Sequence, residues 1–108
     1  MDAVECTRLQ RLSVALAGNN VLIPVAAAAA TMSSSTLTAP AVVQELGGRL
    51  PNNRVSKALA QLDRLGALRE LPYPGRPHAR VYEKVDGPLW NLVHDWALDP
   101  QVDVGAEA

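Results

Sequence analysis

The chain has 108 residues, 48% hydrophobic and 19% charged, which is the size of one domain with a single, modest core. A formal net charge of −1 does not by itself suggest a nucleic-acid partner, but its distribution does. Between Ala39 and Lys84 eight Lys/Arg (Arg49, Arg54, Lys57, Arg64, Arg69, Arg76, Arg80, Lys84) stand against four acids, a local +4, while the two flanks together carry −5. A basic middle between acidic ends is what a local electrostatic footprint needs, although charged helix surfaces are also ordinary.

One cysteine, Cys6, excludes an intrachain disulfide and fits a reducing, cytoplasmic setting. The N-terminus is acidic (Asp2, Glu5) and has no basic stretch ahead of an apolar core, so no signal peptide is expected. Leu12 to Gln44 is uncharged, yet its apolar run, Val21 to Ala30, is ten residues with Pro24 inside it. That is about half a membrane span, and the expectation is a soluble protein with no membrane partner.

In chain order, Asp2 to Ala17 reads as a first helix with Leu9, Leu12 and Leu16 on one side and Arg8 and Arg11 off it. Gly18-Asn19-Asn20 is a turn. Val21 to about Met32 is a second helix, with Pro24 tolerated in its first turn and Ala26–Ala30 suited to close packing. Thr36-Leu37-Thr38 reads as a short strand. It leads into a third helix with Thr38 as N-cap, Pro40 just inside, and Val42, Val43 and Leu46 as the apolar side. Gly47-Gly48-Arg49-Leu50-Pro51 is the next turn, with Leu50 as its core plug.

The stretch from Asn52 to Tyr82 is the most informative. Val55, Leu59, Leu62 and Leu65 define the buried stripe of a fourth helix, capped by Asn52 or Asn53 and ended by Gly66 in a left-handed conformation. Asn53, Lys57, Ala60 and Arg64 fall on the opposite face, with Arg54, Ser56 and Gln61 at its edges. An apolar strand, Ala67 to Leu71, a proline- and glycine-rich tip and a return strand, Ala79 to Lys84, complete a basic hairpin. The spacing from Leu37 through Leu62 is that of two short helices at a steep angle. The expected fold is mainly α with a small antiparallel β-wing, a winged helix-turn-helix spanning residues 1–98. A last helix, Pro88 to Leu98, carries Leu89, Trp90, Val93, Trp96 and Ala97 on one broad face. The acidic tail, residues 99–108, reads as flexible.

Residues 52–97 resemble the HxlR group of bacterial transcriptional regulators, within the wider MarR/ArsR-like winged-helix class. The matching features are the R-V-x-x-x-L-x-x-L-x-x-x-G-x-L run from Arg54 to Leu68, Tyr73-Pro74 at the wing's base, Arg80-Val81-Tyr82 on its return strand and a closing Trp96-Ala97 pair. Gly18-Asn19-Asn20-Val21 departs from the group's G-K-W, and Leu37 to Val42 departs from its basic R-F-x-E-L and looks more like MarR or ArsR proteins. The resemblance implies a sequence-specific, DNA-binding transcription regulator acting as a homodimer, most simply a repressor, with no catalytic role.

In that reading the helix over about 52–65 enters the major groove and presents Asn53, Arg54, Ser56, Lys57 and Gln61; Arg forks onto guanine, Asn or Gln onto adenine, and Lys or Ser serves phosphate or base. The wing over about 72–80 lays Arg76, His78 and Arg80 along the backbone or minor groove. The plain alternatives are a solvated helix face and a hairpin that only packs on the core. Leu9, Leu12, Leu16, Leu89, Trp90, Val93 and Trp96 form the expected dimer interface, or else fold back onto the domain itself. Some relatives use an N-terminal cysteine as a redox sensor, which makes Cys6 a candidate against the alternative of a buried, idle thiol. Cys6, His78 and His94 have no metal-ligand spacing, and there is no nucleophile elbow or phosphate-cradling glycine loop, so no cofactor, no metal and no enzyme activity are expected. The competing function is a winged-helix protein-interaction module docking through the Trp90/Trp96 face. The sequence identifies neither a small-molecule effector nor an operator.

Overall fold

The computed structural model describes residues 1–72 and 80–104. These residues form a mainly helical domain with a small three-stranded antiparallel sheet. The helices are α1 (Ala3–Ala17), α2 (Leu22–Thr31), α3 (Ala39–Glu45), α4 (Asn52–Arg64) and α5 (Pro88–Leu92), the last running on into a π-helical turn, Val93–Ala97. The strands are β1 (Thr36–Leu37), β2 (Leu68–Leu71) and β3 (Val81–Lys84). β3 is central: Leu37 pairs with Tyr82 on one side, and Leu68 to Leu71 pair with Lys84 to Val81 on the other.

α2 lies at the centre. Every residue from Leu22 to Ala29 is buried, the pattern of a helix enclosed on all sides rather than amphipathic. α1, α3, α4 and the π-helical turn all pack against it. Side chains no larger than a methyl at Ala26–Ala29 let the neighbouring helices approach closely. The N–H groups at its N-terminus, which have no partner within the helix, find side-chain acceptors. The Asn19 carboxamide oxygen accepts from the Val21 and Leu22 N–H groups at 3.0 and 2.9 Å, and the buried Ser13 hydroxyl accepts from Ile23 N–H at 3.0 Å. Gly18 supplies the left-handed residue that ends α1, at φ 78°.

α3 is capped as its sequence indicates, Thr38 Oγ1 accepting from Ala41 N–H at 3.3 Å. α4 is not capped by an asparagine side chain. Pro51 occupies the cap position, and Asn52 is already helical. Proline supplies a preset φ there, and its carbonyl accepts from Arg54 and Val55 N–H at 3.1 Å each. Gly66 does end the helix, at φ 83°. Leu65 leaves the expected core stripe and is 60% exposed, because α4 stops at Arg64 and the left-handed turn carries the chain away from the core. Leu37, Val42, Leu46, Leu50, Val55, Leu59, Leu62 and Tyr82 are fully or almost fully buried, and Val43 is half-buried.

The C-terminal region differs from expectation in two ways. The last helix is not uniformly α: Leu98 N–H reaches back five residues to the Val93 carbonyl at 2.8 Å, a π-helical turn. Residues 99–104 are also held rather than loose. The buried Arg8 guanidinium donates to the carbonyls of Ala97 (2.7 Å), Asp99 (3.0 Å) and Val102 (2.6 Å), and in bidentate fashion to the Glu5 carboxylate at 2.8 Å. A terminal helical carbonyl has no intrahelical partner, and a cation at that end is favoured by the helix dipole. Arg11 pairs with Asp103 at 2.6 Å, and Val102 and Val104 pack on the core. The Asp103 carboxyl is accordingly held below its ordinary pKa by its hydrogen bond to Arg11.

Two outcomes follow. Ala27→Leu is expected to lower unfolding free energy by about 1–3 kcal/mol through overpacking, read from urea denaturation. Arg8→Ala is expected to cost about 2–3 kcal/mol, because three carbonyls lose a charged donor while Glu5 retains access to water. Hydrogen exchange should then show the amides of residues 98–104 losing protection before those of the β2–β3 hairpin.

Candidate functional site

The +4 middle segment is distributed unevenly once folded. Lys84 turns inward: its Nζ donates to the Met32 carbonyl at 2.7 Å, tying β3 to the end of α2, and burial lowers its pKa. On the hairpin, Arg69 pairs with its cross-strand neighbour Glu83, and Arg80 lies 3.8 Å from Glu70. The Arg80 pKa is raised, first by its hydrogen bond with Tyr82 and then by Glu70. Arg49 is exposed beside the N-terminus, where its Nε donates to the Met1 carbonyl at 3.2 Å. Arg54, Lys57 and Arg64 remain, all on the solvent side of α4 and all exposed, with no carboxylate partner among the described residues.

Two clefts flank α4. One, about 470 Å³, lies between α4 and the α1–α2 turn and is lined by Asn19, Val21, Arg54, Lys57, Gln61 and Arg64, with Ala58 and Ala60 at its floor. It contains three cations and no acid. Arg54 is held at its edge by a 2.6 Å hydrogen bond from Nη2 to the Asn20 carboxamide oxygen. The other cleft, about 450 Å³, lies on the opposite flank between α3, α4 and β3, where Asn52 and Ser56 face Thr38, Arg80 and Tyr82.

Of the five helix residues anticipated from sequence, the structure therefore places Arg54, Lys57 and Gln61 together in the first cleft and Ser56 with the hairpin residue Arg80 in the second, while Asn53 lines neither. Asn53, Arg54 and Lys57 are exposed on α4, and Ser56 and Gln61 are half-buried on its two flanks. Arg80 is exposed beside Ser56, across the second cleft. Arg76 and His78 lie outside the described residues. Three participants were missed by sequence reasoning: Arg64, which shares the first cleft, and Asn19 and Asn20, whose turn forms its far wall. The turn signal at Gly18-Asn19-Asn20 was visible. Its approach to a helix more than thirty residues later was not.

The expected dimer residues need correction. Leu9, Leu12 and Val93 are 0% exposed in the single chain and cannot meet a partner without unfolding; they belong to the domain's own core, on elements that pack against α2. Trp90 is half-buried and its indole N–H is shared between the Ala67 and Val85 carbonyls, at 3.2 and 3.0 Å, so it closes its own hairpin. Leu89 and Trp96 are half-buried against the core. Leu16 is exposed, as are Val4 and Val14 on α1 and Leu92 on α5.

Cys6 is also corrected. It is buried, and desolvation raises its pKa, outweighing the lowering by Arg49 and the N-terminal ammonium. A redox sensor needs an accessible thiolate, and this site provides neither property. Among the described residues no group of three or more His, Cys, Asp and Glu side chains is placed to hold a metal ion, and no helix is long and apolar enough to cross a membrane.

Comparison with family models, with curated proteins and with solved structures finds no match to this chain.

Native-state alkylation of Cys6 by iodoacetamide is expected to be slower than in urea by more than about tenfold, since burial lowers both thiolate fraction and access. Mass spectrometry of the quenched time course gives both rates.

Proposed function

We propose that this chain is a winged helix-turn-helix DNA-binding protein, a transcription regulator of the repressor type, with α3 and α4 as its helix-turn-helix, β2 and β3 as the base of its wing, and α4 as the major-groove helix. The observation that carries this reading is the solvent face of α4. Asn53, Arg54, Lys57, Gln61 and Arg64 project from it with no carboxylate among them, in a chain whose net charge is −1. Cations grouped without a carboxylate among them on one rigid element are the footprint a polyanion requires.

Supporting features are the capped, proline-started α3 packed against α4 and a sheet that puts the exposed Arg80 across a cleft from Ser56. The Arg80–Glu70 pair is solvent-exposed and weak, about 0.2–1 kcal/mol for such pairs, so a phosphate can compete for the guanidinium. Phosphate neutralisation supplies affinity, and polar side chains of α4, Asn53 and Ser56 among them, read base edges. A homodimer placing two α4 helices about one DNA turn apart would read a pseudo-palindromic site. Among the described residues the exposed large apolar side chains from which a pairing surface would draw are Val4, Val14 and Leu16 of α1, Leu65 and Leu92. Cofactor-free binding and a cytoplasmic location accompany this reading.

The test is fluorescence anisotropy with duplexes from the gene's own upstream region at two salt concentrations, with Arg54→Ala/Lys57→Ala beside the wild type. Affinity is expected to fall steeply with salt, and by at least about tenfold in the double variant, with saturation at two chains per two-half-site duplex. Binding that is absent, or indifferent to both salt and substitution, overturns the proposal.

A further inference from the structure

The cleft between α4 and the α1–α2 turn has a feature that a solvated helix face does not require. Its cations are arranged along one flank. At about 100° per residue, Arg54, Gln61, Lys57 and Arg64 fall within one quadrant of α4, while Asn52 and Ser56 fall on the other side with Asp63. The row runs about 15 Å along the helix, from Arg54 to Arg64 at 1.5 Å per residue. The far wall is the turn, which contributes Asn19 and Val21 and no charge. The turn is rigid because its residues are already engaged: Gly18 closes α1, and Asn19 caps α2. Asn20, next in line, spends its carboxamide oxygen on Arg54 at 2.6 Å. A neutral acceptor in that position restrains the guanidinium without cancelling its charge.

We infer that this cleft grips the phosphates of one DNA strand, with Arg54, Lys57 and Arg64 as the contacting cations and Asn20 of the α1–α2 turn as the positioning residue that holds Arg54 at its rim. The inference rests on the DNA-binding reading of α4 and adds a division of labour to it. The flank facing the turn holds backbone; the outer and opposite faces, with Asn53 and Ser56, are left for base edges. A strand presents one charge per about 3.4 Å of duplex axis, so a row of this length matches several consecutive phosphates rather than a single anion. The cleft also extends the DNA surface to Arg64, in the last turn of α4, beyond the N-terminal half that a groove-inserted helix ordinarily uses for base contacts.

Two variants separate this from a general effect on the helix. Arg64→Ala removes a cation far from the base-reading end. Its expected signature is a loss of about eightfold at 0.1 M salt, as a slope of about 0.9 per phosphate gives, and a salt slope smaller by about 1. The loss should be the same on specific and on random duplexes. Asn20→Asp is isosteric and places a carboxylate against Arg54. Its thermal midpoint should be unchanged or higher, because a hydrogen bond becomes an ion pair, while DNA affinity falls and the salt slope flattens. Ser56→Ala is the contrast: it should change the ratio of specific to random binding and leave the salt slope alone. If wild type binds DNA with a steep salt slope but Arg64→Ala and Asn20→Asp both bind as wild type does, the cleft assignment fails and the α4 reading stands. If wild type does not bind DNA at all, both fail together. A thermal midpoint that drops in Asn20→Asp in step with affinity assigns Asn20 to stability and overturns its positioning role.

Discussion

The constraint on which the structure depends is the close packing around α2. A helix buried from Leu22 to Ala29 has no face to spare for water, so its own side chains cannot be large if four neighbours are to reach it. The alanines solve this. They trade the hydrophobic contribution of larger side chains, about 25 cal/mol per Å² of buried area, for short interhelical distances, and the large residues are supplied by the surrounding elements: Leu9 and Leu12 from α1, Val55, Leu59 and Leu62 from α4, Val93 from the π-helical turn. The arrangement is sensitive because packed interiors have little free volume. A methyl group added at α2 is felt by α4, and through α4 by everything exposed on its outer side.

The polar groups that terminate α2 couple this core to the surface cleft. Buried N–H groups must find partners, and those of Val21, Leu22 and Ile23 find Asn19 and Ser13. Satisfying them fixes the α1–α2 turn. The fixed turn then presents Asn20 to Arg54, so a requirement of folding and a feature of the candidate site share three consecutive residues. The hairpin is anchored by the same logic at the far end of α2, where Lys84 donates to the Met32 carbonyl. Both walls that flank α4 are thus referenced to the two ends of one helix.

Helical periodicity made much of this legible in advance. The buried run from Leu37 to Leu62, the Thr38 cap, the glycine end of α4 and the solvent face of α4 all follow from spacing, because each depends on residues within a turn or two of one another. What failed to be legible depends on partners distant in sequence. Arg8 reads as a surface residue on any helical wheel; it is buried because three carbonyls near residue 100 converge on it, and only its spacing from Glu5 hinted at a fixed guanidinium. Leu9, Leu12 and Val93 read as a surplus apolar face because periodicity tells inside from outside but not one's own core from a partner's. Counting the four elements packed around α2 removes the surplus. Leu65 kept the helical period but lost its place in the core when Gly66 turned the chain.

Charge is the quantity that folding redistributes most. A count along the sequence assigns +4 to the middle segment, but two of its cations are paired across the hairpin and one is turned inward. Exposed ion pairs of this kind contribute little to stability, about 0–1 kcal/mol each, so their larger consequence is for the field around the molecule. Pairing on the hairpin lowers the positive potential there and leaves the turn-facing flank of α4, away from Asp63, as a surface where cations stand without acids. At physiological ionic strength charges interact over about 8 Å, and the cleft between α4 and the turn is lined by three cations and no acid. An incoming anion would therefore feel Arg54, Lys57 and Arg64 together and the paired residues of the hairpin scarcely at all. A chain of net charge −1 can in this way present a locally cationic surface, and the neutral amides of Asn19 and Asn20 are what keep that surface from being cancelled by its own neighbour.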